Sequence, residues 1–185
     1  MTYQAGAIGG QEKLRVVVRH DGATAEAAQT LDIRWSGLSE FGADAHHVLI
    51  GTETPLGQNH LSNHWAFLWA NDQFHSIAEN ILKLANEATD ERPYVIQYND
   101  MSLESGGTFD INGNFAPAHY SHNRGVDADI AFVYGISGGG RIYPNDPGAR
   151  RLSLADLRRA VAAVMQNAVV VREGDHYHVR LLPCP

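Results

Sequence analysis

The stretch GVDADIAFVYG, residues 125 to 135, sets two carboxylates into an otherwise apolar strand pattern. Residues two apart on a strand share a face, so Asp127 and Asp129 lie on one side and Val126, Ala128 and Ile130 on the other. A carboxylate on a buried strand is tolerated only where a partner offsets its lost hydration. The tail supplies candidates. In GDHYHVRL, residues 174 to 181, His176 and His178 share a face opposite Tyr177 and Val179. Two neighbouring antiparallel strands of this kind present His176, His178 and Asp129 to one cleft. His122 lies just before the first strand, and Gly125 lets the backbone turn between His122 and Asp129.

Around these two strands the pattern predicts an α+β fold, with a small central antiparallel sheet, flanking helices and long loops. Residues 1–12 read as a flexible leader and 13–185 as a single domain, of which 13–55 form an N-terminal β segment of unassigned role. Strands are expected over 13–20, 30–35, 46–53 and 94–100, with DGATAEAAQ (21–29) as the connector between the first two. Phe74, Ile77, Ile81, Leu84 and Ala88 recur at helical spacing and predict a helix over 72–88, capped by Asn71 or Asp72. Ser153, with Asp156 three residues on, opens a second helix. AVVVREG and YHVRLL then read as a closing hairpin turning near EGD. Residues 104–118 and 137–151 read as loops from their Gly, Asn and Pro content.

Composition narrows the function. A chain of 185 residues that is 44% hydrophobic and 19% charged can bury a sizeable core. Its net charge of −7 argues against a nucleic-acid partner, which needs a basic face. Cys184 is the only cysteine, which excludes an intrachain disulfide and a cysteine-based zinc site. No apolar run reaches the roughly 18 residues of a membrane span. No basic and apolar signal-peptide pattern is visible at the N-terminus. Two imidazoles and one carboxylate suit a tetrahedral zinc with one open position, where bound water has a pKa of about 7. A further histidine can then act as general base or stabilise a developing oxyanion.

The motifs resemble a known family. SHNRGVDAD (121–129) resembles the Ser-His-x-x-Gly-x-x-x-Asp signature of the LAS metallopeptidases, a group named for lysostaphin, D-Ala-D-Ala carboxypeptidase and sonic hedgehog. DHYHVRL (175–181) resembles their His-x-His strand. NDMSLESGG (99–107), HYSHNRGVDADI (119–130) and DHYHVRL together are most similar to the penicillin-insensitive murein endopeptidases, over roughly residues 60–182. Residues 1–55 carry none of these motifs. The resemblance implies a LAS/hedgehog-like fold, one Zn2+ held by His122, Asp129 and His178, and His176 as the catalytic histidine. His119 matches an extra histidine that binds a second metal in that family. Here RIYPNDPGARR (141–151) offers Asp146 but no histidine for such a site, so His119 is expected on the substrate side or behind the ligands. Ser121 and Asp175 are expected to orient ligands by hydrogen bonding, Arg124 or Arg180 to hold a substrate carboxylate, and Tyr177, beside the ligands, to pack in the core or cleft wall or else to donate to an oxyanion. The implied activity is hydrolysis of peptide cross-links in peptidoglycan, in the periplasm or outside the cell. A D-Ala-D-Ala carboxypeptidase or dipeptidase is the alternative within enzymes. A non-catalytic zinc-containing module that binds cell wall is the alternative outside them.

Overall fold

A computed structural model describes residues 9–51, 63–85, 94–108, 121–136 and 141–182. The chain is α+β, with two helices among the described residues and mostly antiparallel sheets. Among the described residues, strands β1 (Gly10–His20) and β2 (Ala23–Ile33) pair only with each other. Asp21 and Gly22 join them with φ of 44° and 79°, and two positive φ values make the type I′ turn that suits a hairpin's twist. Two expectations change here. β1 begins inside the stretch read as a leader, and β2 takes in most of the stretch read as a connector. Alanines at 23, 25, 27 and 28 give β2 little intrinsic strand preference, but its ladder with β1 runs from Gly10↔Ile33 to His20↔Ala23.

β3 (Leu38–Glu40) pairs with β5 (Trp65–Phe67) in a second small sheet. Among the described residues the main sheet has seven strands: β4 (His47–Leu49), β6 (Tyr94–Tyr98), β7 (Asp127–Ala131), β8 (Val133–Ile136), β9 (Arg150–Arg151), β10 (Ala168–Arg172) and β11 (His176–Leu181). It is larger than expected and not wholly antiparallel, because β4 runs parallel to β6. The strand expected over 125–135 is also interrupted. β6 meets β7 at Tyr98↔Ile130 and β8 at Tyr94↔Ile136, so four steps on one side face six on the other. The two extra residues around Phe132 form a bulge, which bends the strand. The closing hairpin β10–β11 pairs Val171 with His178 and turns through 173–175 as expected.

Helix α1 (Leu68–Leu84) starts four residues earlier than the apolar spacing predicted and has no side-chain cap. Asn71 is not its cap; its amide donates instead to Ser39 Oγ at 2.9 Å and to Ser39 O at 3.2 Å, tying the helix to β3. Phe74, Ile77 and Ile81 are fully buried, while Leu84 is exposed and Ala88 lies outside the described residues. Each of those three contributes roughly 1.5–3 kcal/mol by burial, against about 0.3–0.5 for the surface pair of Lys83 with Glu79. Packing therefore holds α1 in place. Helix α2 (Leu154–Val164) has the expected cap: Ser153 Oγ accepts from Asp156 N at 3.1 Å.

Both helices pack on one face of the sheet, together with Tyr94, Ile96 and Tyr98 of β6, Ala128 and Ile130 of β7, and Tyr177, Val179 and Leu181 of β11. Tyr98 donates its hydroxyl to Phe74 O at 2.7 Å, joining sheet to helix. Strand alternation sends Asp127, Asp129, His176 and His178 to the opposite face.

Candidate metal centre

The register of β7 on β11 builds the site. His178 lies opposite Asp129, Arg180 opposite Asp127, and His176 opposite Ala131. Asp129 N donates to Asp100 O at 2.9 Å, and Asn99 N to Asp129 O at 2.8 Å, so the backbone at Asp129 is held from the β6 side too. His122 reaches the same place from the loop before β7. It does so with φ of 64°, and Gly125 follows at 66°. A positive φ is strained in a non-glycine residue, and such strain persists where the surroundings enforce it.

His122, Asp129 and His178 are all buried, and one ligand atom from each lies within 4.8 Å of the other two. His122 Nε2 is 3.3 Å and His178 Nδ1 2.9 Å from Asp129 Oδ1. The two rings stand edge to face at 4.9 Å. These residues are the trio expected from the motif, and the spacing of their donor atoms could hold a metal ion.

Behind the trio lies a residue whose role the sequence did not disclose. His178 Nε2 donates to Asp127 Oδ1 at 2.9 Å, and Arg180 Nε donates to the same oxygen at 2.6 Å. A carboxylate on the far nitrogen fixes the ring and its tautomer, leaving Nδ1 to face the trio. Arg180 is thus engaged with Asp127 and is not poised over a substrate carboxylate. The available signal was the shared face of Asp127 and Asp129; the pairing with Arg180 needed the register.

The charges of this cluster favour a cation. Asp127 and Asp129 are both buried, and among the described residues Arg180 is the only guanidinium bonded to either. Burial opposes ionisation of Asp129, but its hydrogen bonds with His122 and His178 outweigh that and hold its pKa below the usual carboxylate range. Asp127 is lowered for a similar reason, with burial overcome by His178 and Arg180. Burial pushes His178 down, yet hydrogen bonds to Asp127 and Asp129 raise it to about 9. Without metal, then, a second proton on His178 offsets the two carboxylates, in a group that could hold a metal ion instead. Proton and metal compete for one electron pair, and the donor set of two imidazoles and a carboxylate fits a borderline divalent ion.

His176 sits at the rim, with its side chain 16% exposed. Its Nδ1 donates to Asp175 Oδ1 at 2.9 Å, the orienting contact expected of Asp175. Its Nε2 points inward, 3.3 Å from Asp129 Oδ2 and 3.4 Å from Glu173 Oε2. Glu173 was not anticipated; it is drawn in by the turn of the hairpin. Of the two roles open to Tyr177, the structure shows core packing. It is buried on the helix side, packed on Phe132, and its hydroxyl donates to Leu152 O at 3.0 Å, so it cannot flank the reacting atoms. Ser121 lies next to His122 in the same loop. His119 lies outside the described residues. Arg124 is exposed and lines a cavity of about 340 Å³ with Ile33, Trp35, Thr108 and Asn123, next along the chain from His122. Ile33 and Trp35 of the N-terminal segment thus share this cavity with the loop that carries His122.

No protein-family profile matches the chain, and no curated protein does.

Proposed function

We propose that this chain is a zinc-dependent peptidase that hydrolyses peptide cross-links in peptidoglycan, acting in the periplasm or outside the cell. The observation that carries the reading is the convergence of His122, Asp129 and His178 in one buried group, with His176 at its solvent edge. The substrate class rests on the resemblance of the three motifs to murein endopeptidases. Among the described residues no helix is long and apolar enough to cross a membrane.

Zinc in this trio would supply Lewis acidity and water acidified to near neutral pH. The chain's residues do the rest. Asp127 holds His178 in the tautomer that offers Nδ1. Asp175 holds Nδ1 of His176, which leaves Nε2 to exchange a proton with the substrate or to stabilise its oxyanion. Arg124, on the cavity wall, offers bidentate pairing to a stem-peptide carboxylate, which a chain of net charge −7 must hold by local positive charge.

The test is digestion of purified cross-linked muropeptide dimers by the wild type and by His176→Ala, with zinc content measured in both. His176→Ala should keep its zinc and lose roughly 10²–10³ in rate. Dimers should become monomers with intact tetrapeptide stems. Loss of only a terminal D-Ala would instead identify a carboxypeptidase. Binding to peptidoglycan with no cleavage would identify a binding module.

A further inference from the structure

On the helix side of the molecule a second histidine–aspartate group ties the segment before β4 to α1. Asp44 lies in the loop, His47 begins β4, and His75 projects from α1, 31 residues from Asp44 in sequence. One ligand atom of each lies within 4.8 Å of the others. His75 Nδ1 donates to Asp44 Oδ2 at 2.8 Å. His47 Nε2 donates to Gly42 O at 2.9 Å, which assigns the proton of a neutral ring to Nε2 and leaves Nδ1 bare. That bare Nδ1 is completely buried and makes no hydrogen bond, although Asp44 Oδ1 is only 2.8 Å away.

A lone pair facing a carboxylate oxygen at that distance is repulsive unless a cation, a second ring proton or a metal ion, bridges the two. Phe41 stacks on the His47 ring at 4.5 Å and 12°, and the His47 and His75 rings lie 4.8 Å apart, so the arrangement is fixed by packing. Backbone N–H groups of His46 and His47 donate to Asp44 Oδ1 at 2.7 and 3.1 Å and hold the carboxylate in place. The side chains of Asp44 and His75 are 34% and 35% exposed, which opens the group to ions from solvent on that side.

We propose that Asp44, His47 and His75 form a second metal site, for a borderline divalent cation of the zinc and cobalt class. Two imidazole nitrogens and one carboxylate are the donors such ions prefer, with solvent completing the shell. The ion would clamp the 41–47 segment to α1. This site is independent of the peptidase reading, since it shares no residue with the His122 group.

The experiment strips the full-length protein with chelator, equilibrates it by dialysis against Zn2+, and measures bound metal by mass spectrometry. Wild type should hold two equivalents. His75→Ala and Asp44→Asn should each hold one, and His122→Ala should also hold one. The double variant His75→Ala/His122→Ala should hold none. Should His75→Ala disturb the helix, His75→Gln keeps a hydrogen-bonding side chain there while removing the imidazole ligand, and it too should hold one. Co2+ absorption titrated into His122→Ala reports the second site alone and should vanish in its combination with His75→Gln. Equal metal content in wild type, His75→Ala, His75→Gln and Asp44→Asn would overturn the proposal. A wild type that loses one equivalent with His75→Ala and nothing with His122→Ala would uphold this site and sink the other.

Discussion

Two carboxylates two residues apart carry separate duties in the candidate centre. Asp129 belongs to the trio, and Asp127 stands behind His178 with Arg180 at its back. Asp127→Asn tests that division. The asparagine oxygen can still accept from His178 Nε2, but the negative charge that strengthens the imidazole is gone. Zinc affinity should fall about 10–100-fold, with one equivalent still bound at the His122 group when zinc is in excess. Competition against a chromophoric chelator measures this, and unchanged affinity would remove Asp127 from the site. At this scale much of the centre was legible. His122, Asp129, His176 and His178 follow from strand alternation and motif spacing. Asp127 was legible only as a face, because its partner Arg180 is set by the register of two strands 53 residues apart. The Asp44–His47–His75 group was not legible at all, since no local pattern links a loop, a strand end and a helix.

The elements show where local signals win and where packing overrides them. Ser153 starts α2 by its own chemistry, whereas α1 starts without a side-chain cap because Phe67 holds the cap position and Asn71, a turn inside, bonds to β3. The Asp-Gly turn was a sound hairpin signal, and only the alanines of β2 obscured it. At the junction of small sheet and main sheet, Gly125 is buried and closely surrounded. Its carbonyl accepts from Phe67 N at 2.9 Å, its φ is 66°, and a Cβ there would lie 2.3 Å from Leu38 Cδ2 and 3.3 Å from Phe67 N. Gly125→Ala should therefore cost about 1–3 kcal/mol and lower the melting temperature by roughly 3–10 °C for a chain of this size. It should also weaken zinc binding, because His122 lies three residues away in the same turn. Gly174→Ala is the control: a Cβ there meets nothing within 4 Å, so its stability should stay within about 0.5 kcal/mol. Calorimetry on both variants decides; equal melting temperatures would mean that β5 does not constrain the turn.

At the scale of the whole molecule, the buried histidines make stability depend on pH in two opposed ways. His47 is fully buried, and burial lowers its pKa from 6.5 to about 4 despite the pull of Asp44. His64 is buried and lowered in the same direction, by burial first. Below 6.5 the unfolded chain takes up protons that these folded rings refuse, so stability falls with falling pH, for His47 over the window from 6.5 to about 4. His178 works the other way. Burial opposes its charge, but Asp127 and Asp129 raise its pKa to about 9, so the folded state binds a proton that the unfolded state releases. Its contribution is complete below 6.5 and is lost as pH rises through about 9. Each shift of His47 and His178 corresponds to about 3 kcal/mol. Chelator-treated protein should therefore be most stable near pH 6.5 and weaken towards both pH 4 and pH 9. Saturating zinc should remove the alkaline decline, because a ligating His178 has already given up its Nδ1 proton. The stability gap between zinc-loaded and metal-free protein should thus widen from pH 6.5 to about 9. Urea unfolding in buffers across that range, with zinc or with chelator, measures both curves. A metal-free curve that stays flat above pH 6.5 would show that His178 carries no extra proton in the folded chain, and the cation-demanding character of its surroundings would fall with it.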